Sequence, residues 1–338
     1  MRIGNHFIDK DNLFFIVEEG NANNGDLNKA FHMIDLAAKS GADAIEFQLA
    51  IASDFYVKKD PGFERYKNRE FSNHQIKQLV QRASQNGIEF IAAIFSHNLI
   101  VSVVQAGCSA ITINASDLNN PAIIDCTAKS GKPILLSILL ANEDEIKWAI
   151  NRLTNQGATD IILLHGQHAM AGTGEPLSID DTSLGYIDVL RNKYNMPIGF
   201  TDHTPYGWMP ACAVAAGAKV ITKHLIPSRK DKTPDWFICL EPEEMEDAIN
   251  YAKMVYKSRM NTQKFLLEGE HVDKSIMRRS IVASKALKVN QVLQSDDLCF
   301  KRPGTGLEPS NYEKLIGKIL KRDLQYDEQI QLSDLVDQ

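Results

Sequence analysis

The chain has 338 residues, 44 % of them hydrophobic and 24 % charged, with a formal net charge of −6. This is the make-up of an ordinary folded protein, long enough for one large domain plus a small one, and its negative balance excludes sequence-independent binding to nucleic-acid phosphates. The five cysteines, Cys108, Cys126, Cys212, Cys239 and Cys299, are scattered and form no CxxC, so reduced thiols in a cytoplasmic protein fit better than a disulfide frame or zinc cluster.

The largely polar Met1–Asn12 predicts no signal peptide, and no apolar run is long enough for a bilayer. Phe14–Glu18 (FFIVE) reads as a strand ending on acids. Asn21–Gly25 reads as a turn, and Asp26 as the cap of a helix whose apolar positions Leu27, Ala30, Phe31, Ile34 and Ala38 keep a helical period until Gly41. Asp43–Leu49 is the second strand. The polar excursion over 52–72 that follows is a candidate lid or substrate loop, ahead of a helix at Asn73–Asn86. Glu89–Phe95, Ala110–Ala115, Lys132–Leu139 and Asp160–His165 continue the series of strands.

Two further short apolar runs, Ile198–Phe200 and Val220–Ile221, flank the small-residue segment Ala211–Gly217, which reads as a crossover helix. Each run leads at once into polar groups: Thr201, Asp202, His203 and Thr204 after the first, Thr222, Lys223 and His224 after the second. Parallel neighbours of this kind present His203 and His224 at one sheet edge, as a candidate divalent-metal pair that a carboxylate such as Asp202 could support. The plainer alternative is two histidines satisfied at strand ends.

A last helix over Glu241–Ser258 brings the count to eight βα units in about 250 residues, the rhythm of a closed (β/α)8 barrel. An open doubly wound sheet is the competitor, disfavoured because no GxGxxG follows the first strand. Closure gathers the strand ends into one ring: Glu18, Gln48, Ser96 with His97, Asn114 to Asp117, Ser137, His165 with His168, Asp202 with His203, and His224. The barrel is assigned to 1–259 and a polar link to 260–277. A small β-rich domain follows over 278–338, with a basic loop at Lys301–Gly306.

In their order and spacing, these motifs resemble the sialic acid synthase family. The match rests on the eight βα units, Thr201-Asp202-His203-Thr204, Lys223-His224 and the late Lys301-Arg302-Pro303-Gly304-Thr305-Gly306. The resemblance implies a TIM barrel followed by an antifreeze-like, or SAF, domain. It also implies condensation of phosphoenolpyruvate with an N-acetylated hexosamine to a nine-carbon 2-keto acid, releasing phosphate, for surface polysaccharide synthesis. Further implications are a divalent metal, often manganese, on His203 and His224; catalytic acids Glu18, Asp117 and Asp235; and substrate contacts from Gln48, Ser137 and Thr201. Arg302 would enter the partner's site in a homodimer.

The sequence departs from that family's phosphoenolpyruvate pocket. Glu46-Phe47-Gln48 stands where Lys-Phe-Gln is usual, and Thr112-Ile113-Asn114-Ala115 where Lys-Ile-Ala-Ser is usual. Two lost cations weaken the grip on a phosphate by several orders of magnitude, since each charge-assisted contact is worth roughly 1.5–3 kcal/mol. Lys223, Arg229, Lys230 and Lys232 are the candidate cations to replace them; a solvated surface run is the alternative for that loop. His168 is a third candidate ligand or acid–base group, and Lys223 a Schiff-base candidate, though an ion-paired lysine fits better. A diverged metal-dependent enzyme acting on a sugar acid and a non-catalytic sugar-binding homologue stay open beside the synthase.

Overall fold

The structure, a computed structural model, describes residues 1–8, 12–170 and 174–336. Eight parallel strands close into a barrel: β3 (Phe14–Glu18), β4 (Ala44–Leu49), β5 (Glu89–Ile94), β6 (Ala110–Ile113), β7 (Ile134–Ser137), β8 (Ile161–His165), β9 (Ile198–Asp202) and β10 (Val220–His224), with β10 pairing back onto β3. They follow a short hairpin of β1 (Arg2–Ile3) and β2 (His6–Phe7). The closed (β/α)8 barrel expected from the strand rhythm is thus present.

Local chemistry sets the helix starts. The Asp26 carboxylate accepts from Asn28 N at 2.8 Å and Lys29 N at 3.1 Å, capping the helix Leu27–Lys39. Ser72 with Gln75, and Asn142 with Glu145, form reciprocal caps for Asn73–Gln85 and Glu143–Asn155. The excursion over 52–72 is not an unstructured loop: it folds into short helices at Ala52–Phe55 and Gly62–Lys67, whose Phe55, Tyr56 and Tyr66 rings pack together and onto Phe95.

Alternation along each strand divides the core. Outward residues such as Phe15, Val17, Ile45, Phe47 and Ile221 pack under the helices. Inward residues Phe14, Ile16, Ala44, Ile91, Ala110, Leu135, Ile162, Leu164 and Val220 fill the barrel, joined by Ile3 and Ile8 from either side of the hairpin. At Gly199 there is no room for more. A Cβ there would lie 2.6 Å from Leu164 Cδ2 and 2.9 Å from Val220 O.

The chain divides into two compact units, Met1–Asn261 and Thr262–Gln338. The second carries its own core of Ile281, Leu287, Leu293, Leu298, Leu315, Leu320, Leu324, Ile330 and Leu335 around the antiparallel pair β11 (Ser280–Ala283) and β12 (Leu298–Lys301). The stretch 260–277, read from sequence as a polar link, contains the helix Glu268–Met277. Its polarity hid it, although Glu270 caps the Leu267 N–H at 2.8 Å and Val272 and Ile276 stand one turn apart.

Candidate active site at the barrel mouth

The alternation that fills the barrel with apolar side chains continues upward with polar ones. On β3 the inward series Phe14, Ile16 ends on Glu18. On β4 it runs Ala44, Glu46, Gln48; on β6, Ala110, Thr112, then Asn114; on β7, Leu135, Ser137; on β9, Gly199, Thr201, then His203; on β10, Val220, Thr222, His224. Glu18, Gln48, Ser137, Thr201, His203, His224 and Asp235 line one narrow cavity, together with Glu46, Thr112, Asn114 and His168. A wider cavity of about 790 Å³ adjoins it through His168 and is lined by His165, Gln167, Glu143 and Tyr186 among others.

His203 and His224 lie with their ring centroids 5.3 Å apart, both buried. His203 Nδ1 is 2.9 Å from Gln167 O; a carbonyl only accepts, so Nδ1 carries the proton and Nε2 the lone pair. His224 lies 3.2 Å from Glu18 Oε2 through Nε2, but neither of its ring nitrogens completes a hydrogen bond. Burial, the largest cause, lowers both: His203 well below the ordinary imidazole value, with the His224 charge adding to the effect, and His224 to about 4 against the opposing pull of Asp235. Both rings are therefore neutral near pH 7, as metal ligands must be.

Glu18 accepts from Gln48 Nε2 at 2.6 Å, and Gln48 Oε1 accepts from Asn21 Nδ2 at 2.8 Å. Burial, opposed by that hydrogen bond and aided by the Asp235 charge, pushes Glu18 up to about 7. Glu46 faces Glu18 in register on the next strand and accepts from Thr112 Oγ1. Burial first, then the Glu18 charge, push Glu46 up to about 8, with the Thr112 bond opposing. So Glu46, which stands where a lysine is usual, is mostly protonated at neutral pH rather than a repelling charge. In the sequence Glu46 and Thr112 stand only as two lost lysines; that they bond to one another is visible only in the fold.

Several expectations are corrected. Asp202 does not support the imidazoles: strand alternation turns it outward, where it pairs with Lys223 at 2.9 Å, both fully buried, and accepts from Thr204 N at 2.8 Å. Lys223, which also donates to Thr204 O, is thereby removed as a cavity cation and as a Schiff-base lysine. Arg229 is held by Glu244, its Nη1 2.9 Å from Oε1, and Lys232 lies over the Trp236 ring at 5.9 Å; neither lines the cavity, nor does Lys230. Asp117 is not brought to the cavity. Asn114 takes the inward place, and the short turn Ala115–Asp117 points Asp117 at Ser116 Oγ, 3.0 Å, and Asn120 Nδ2, 2.8 Å, so it organises its own loop. Arg302 is exposed on the second unit.

Sequence reasoning missed Glu19, fully buried beside Glu18. It accepts from Asn23 Nδ2 at 2.6 Å, while its Oε1 has no partner. The only signal was the doubled acid at the strand end. Cys239 is buried, and burial pushes its thiol well up, which rules against a thiolate nucleophile.

The model of the NeuB family matches residues 33–264, and that of the SAF domain matches 278–336. The chain belongs to the NeuB family. It is 30 % identical to the N,N'-diacetyllegionaminic acid synthase of Campylobacter jejuni, over 93 % of this chain and 98 % of that one. It is 26 % identical to the human N-acetylneuraminate-9-phosphate synthase, over 96 % and 92 %. Among solved structures, the N-acetylneuraminic acid synthetase of Leptospira borgpetersenii, in complex with citrate, superposes with a TM-score of 0.75 at 28 % identity, covering 81 % of this chain and 94 % of that one. This NeuB-family chain thus pairs the family's barrel with a SAF domain. Among its described residues, no helix is long and apolar enough to cross a membrane.

Proposed function

We propose that this NeuB-family chain makes or breaks the carbon–carbon bond between a three-carbon 2-oxo-acid unit and the aldehyde of an N-acetylated hexosamine, within surface polysaccharide synthesis. The observation that carries the reading is the one narrow cavity into which strand alternation turns Glu18, Gln48, Thr201, His203 and His224, and which Asp235 lines from the loop after β10. Relatives named as synthases of nine-carbon sugar acids support it.

A divalent metal, manganese by resemblance, fits this chain's residues. His224 is buried with two unpaired ring nitrogens, and His203 presents a lone pair at Nε2. Among the described residues, no group of three or more His, Cys, Asp or Glu could hold a metal ion, so the two imidazoles would leave other positions to substrate oxygens and water. When bound there, the metal would act as a Lewis acid on a carbonyl oxygen.

The chain's own groups do the rest. Gln48 holds Glu18 at 2.6 Å and fixes that carboxyl beside His224. Glu18, brought to about 7, can take or return a proton near neutral pH. The wider adjoining cavity has room for the sugar chain, with Tyr186 and Glu143 on its wall. Arg302 from the second subunit of a homodimer would complete the site; the sequence resemblance supports this part.

Incubating the manganese-loaded protein with a panel of N-acetylated hexosamines and either phosphoenolpyruvate or pyruvate tests the reading. We expect a nine-carbon 2-keto acid by mass spectrometry, or cleavage of an authentic one. Neither product nor cleavage with any sugar would overturn it.

A further inference from the structure

Building on the reading above, we infer that the three-carbon donor enters as an unphosphorylated 2-oxo acid, of the pyruvate class, and that Glu46 is the catalytic residue that carries its methyl proton.

The charge inventory of the cavity is the first argument. Among the described residues of a single chain, no lysine or arginine lines it, while Glu18, Glu46 and Asp235 do. A phosphoryl group taken out of water needs charge-assisted donors. Lys223 is committed to Asp202 behind the wall, and Arg229 to Glu244. A 2-oxo acid carries a single negative charge and asks far less.

The second argument is the pairing of Glu46 with Thr112. The hydroxyl proton is already given to Glu46 Oε1, so where the family has two lysines the pair offers a phosphate no charged donor. What it offers is a carboxyl held at a fixed place, inward of Gln48 and opposite Glu18. Burial and the Glu18 charge set it to about 8, where a carboxyl both accepts and returns a proton at neutral pH.

The step balances without phosphate, water or a redox partner. The C3–H bond of the oxo acid breaks, its electron pair becomes the C2–C3 double bond of the enolate, and the proton goes to Glu46. C3 then attacks the aldehyde carbon, and the carbonyl π pair moves to oxygen. Glu46 releases its proton through solvent to that oxygen as the new hydroxyl. Cleavage is the reverse.

The test uses the full-length protein, metal-free and manganese-loaded, with pyruvate, phosphoenolpyruvate and inorganic phosphate as separate probes in calorimetry. It adds proton NMR of the pyruvate methyl group in deuterated water. We expect pyruvate to bind, phosphoenolpyruvate and phosphate to bind at least about tenfold more weakly, and the methyl signal to exchange away. Glu46→Gln should slow exchange by about 100-fold or more, the usual worth of a positioned acid–base group. The double change Glu46→Lys with Thr112→Lys should abolish exchange and strengthen phosphoenolpyruvate binding by about tenfold or more, the scale of one charge-assisted contact. If that double variant does not fold by circular dichroism, the wild-type comparison decides alone.

Tight phosphoenolpyruvate binding by the wild-type protein, with phosphate released when a sugar is added, would overturn the donor assignment and leave the proposed function standing. Exchange that survives Glu46→Gln would overturn the role of Glu46. Failure of both donors to bind, with no keto acid formed or cleaved, would bring down the proposed function itself.

Discussion

Thr112 donates its hydroxyl proton to Glu46 across the barrel mouth, joining positions 66 residues apart in the chain. One bond thus ties β6 to β4 over the intervening β5, at the level where the cavity begins. It stands where the family has an anion-gripping pair of cations, and it is a hydroxyl bonded to a buried carboxyl instead. The chemistry open to this chain follows from that exchange.

The same pair gives a pH signature in stability. The Glu46 carboxyl has an ordinary value of 4.5 and is raised to about 8 by burial and the Glu18 charge. Between those values the unfolded chain sheds a proton that the folded chain keeps, so stability falls as pH rises through the window and levels off above it. Glu46→Gln should therefore melt increasingly above the wild type from pH 5 to pH 8, by a few kcal/mol at most, since each pH unit is worth about 1.4 kcal/mol. Thermal melts across that range would show it; a gap that does not grow would mean Glu46 ionises in place without penalty.

Metal binding separates the three histidines at the mouth. His203→Ala and His224→Ala should each weaken manganese binding by more than about 100-fold, beyond what an outer partner is worth. His168→Ala, whose ring is 5.0 Å from that of His203, should cost less than about tenfold. Electron paramagnetic resonance of the manganese titration reads this directly, and an equal loss at all three would redraw the seat.

Asp202 and Lys223 form a fully buried ion pair. Lys223→Met alone strands the carboxylate and should cost about 3–5 kcal/mol. Adding Asp202→Leu to it should recover most of that loss, because a well-packed apolar pair replaces two desolvated charges. Urea denaturation of the two variants makes the comparison. If the single change is harmless, the pair is not carrying a buried charge.

Gly199 marks the layer where the barrel interior is full. Gly199→Ala should cost about 1–3 kcal/mol, the usual range for overpacking, because its Cβ meets Leu164 and Val220. Chemical denaturation is the check, and an unchanged midpoint would mean the neighbours give way freely.

Much of this protein was set down in its sequence. Apolar runs such as FFIVE and EFIAAI, spaced by capped helical segments, determine a parallel barrel, because each strand buried on both sides must be nearly continuous in apolar residues. The residue types at the strand ends, Glu18, His203 and His224 above all, were legible for the same reason: polar groups there have no place in the core. What the tertiary structure decided is which of two adjacent polar residues enters the cavity. Period-two alternation and closure of β10 onto β3 send His203 and His224 inward and their neighbours Asp202 and Lys223 outward, into an ion pair of their own. The short turn after β6 keeps Asp117 out, and closure brings Glu46 to Thr112. A linear sequence carries the parity of each strand but not the common origin that aligns eight of them, and only the closed ring supplies it.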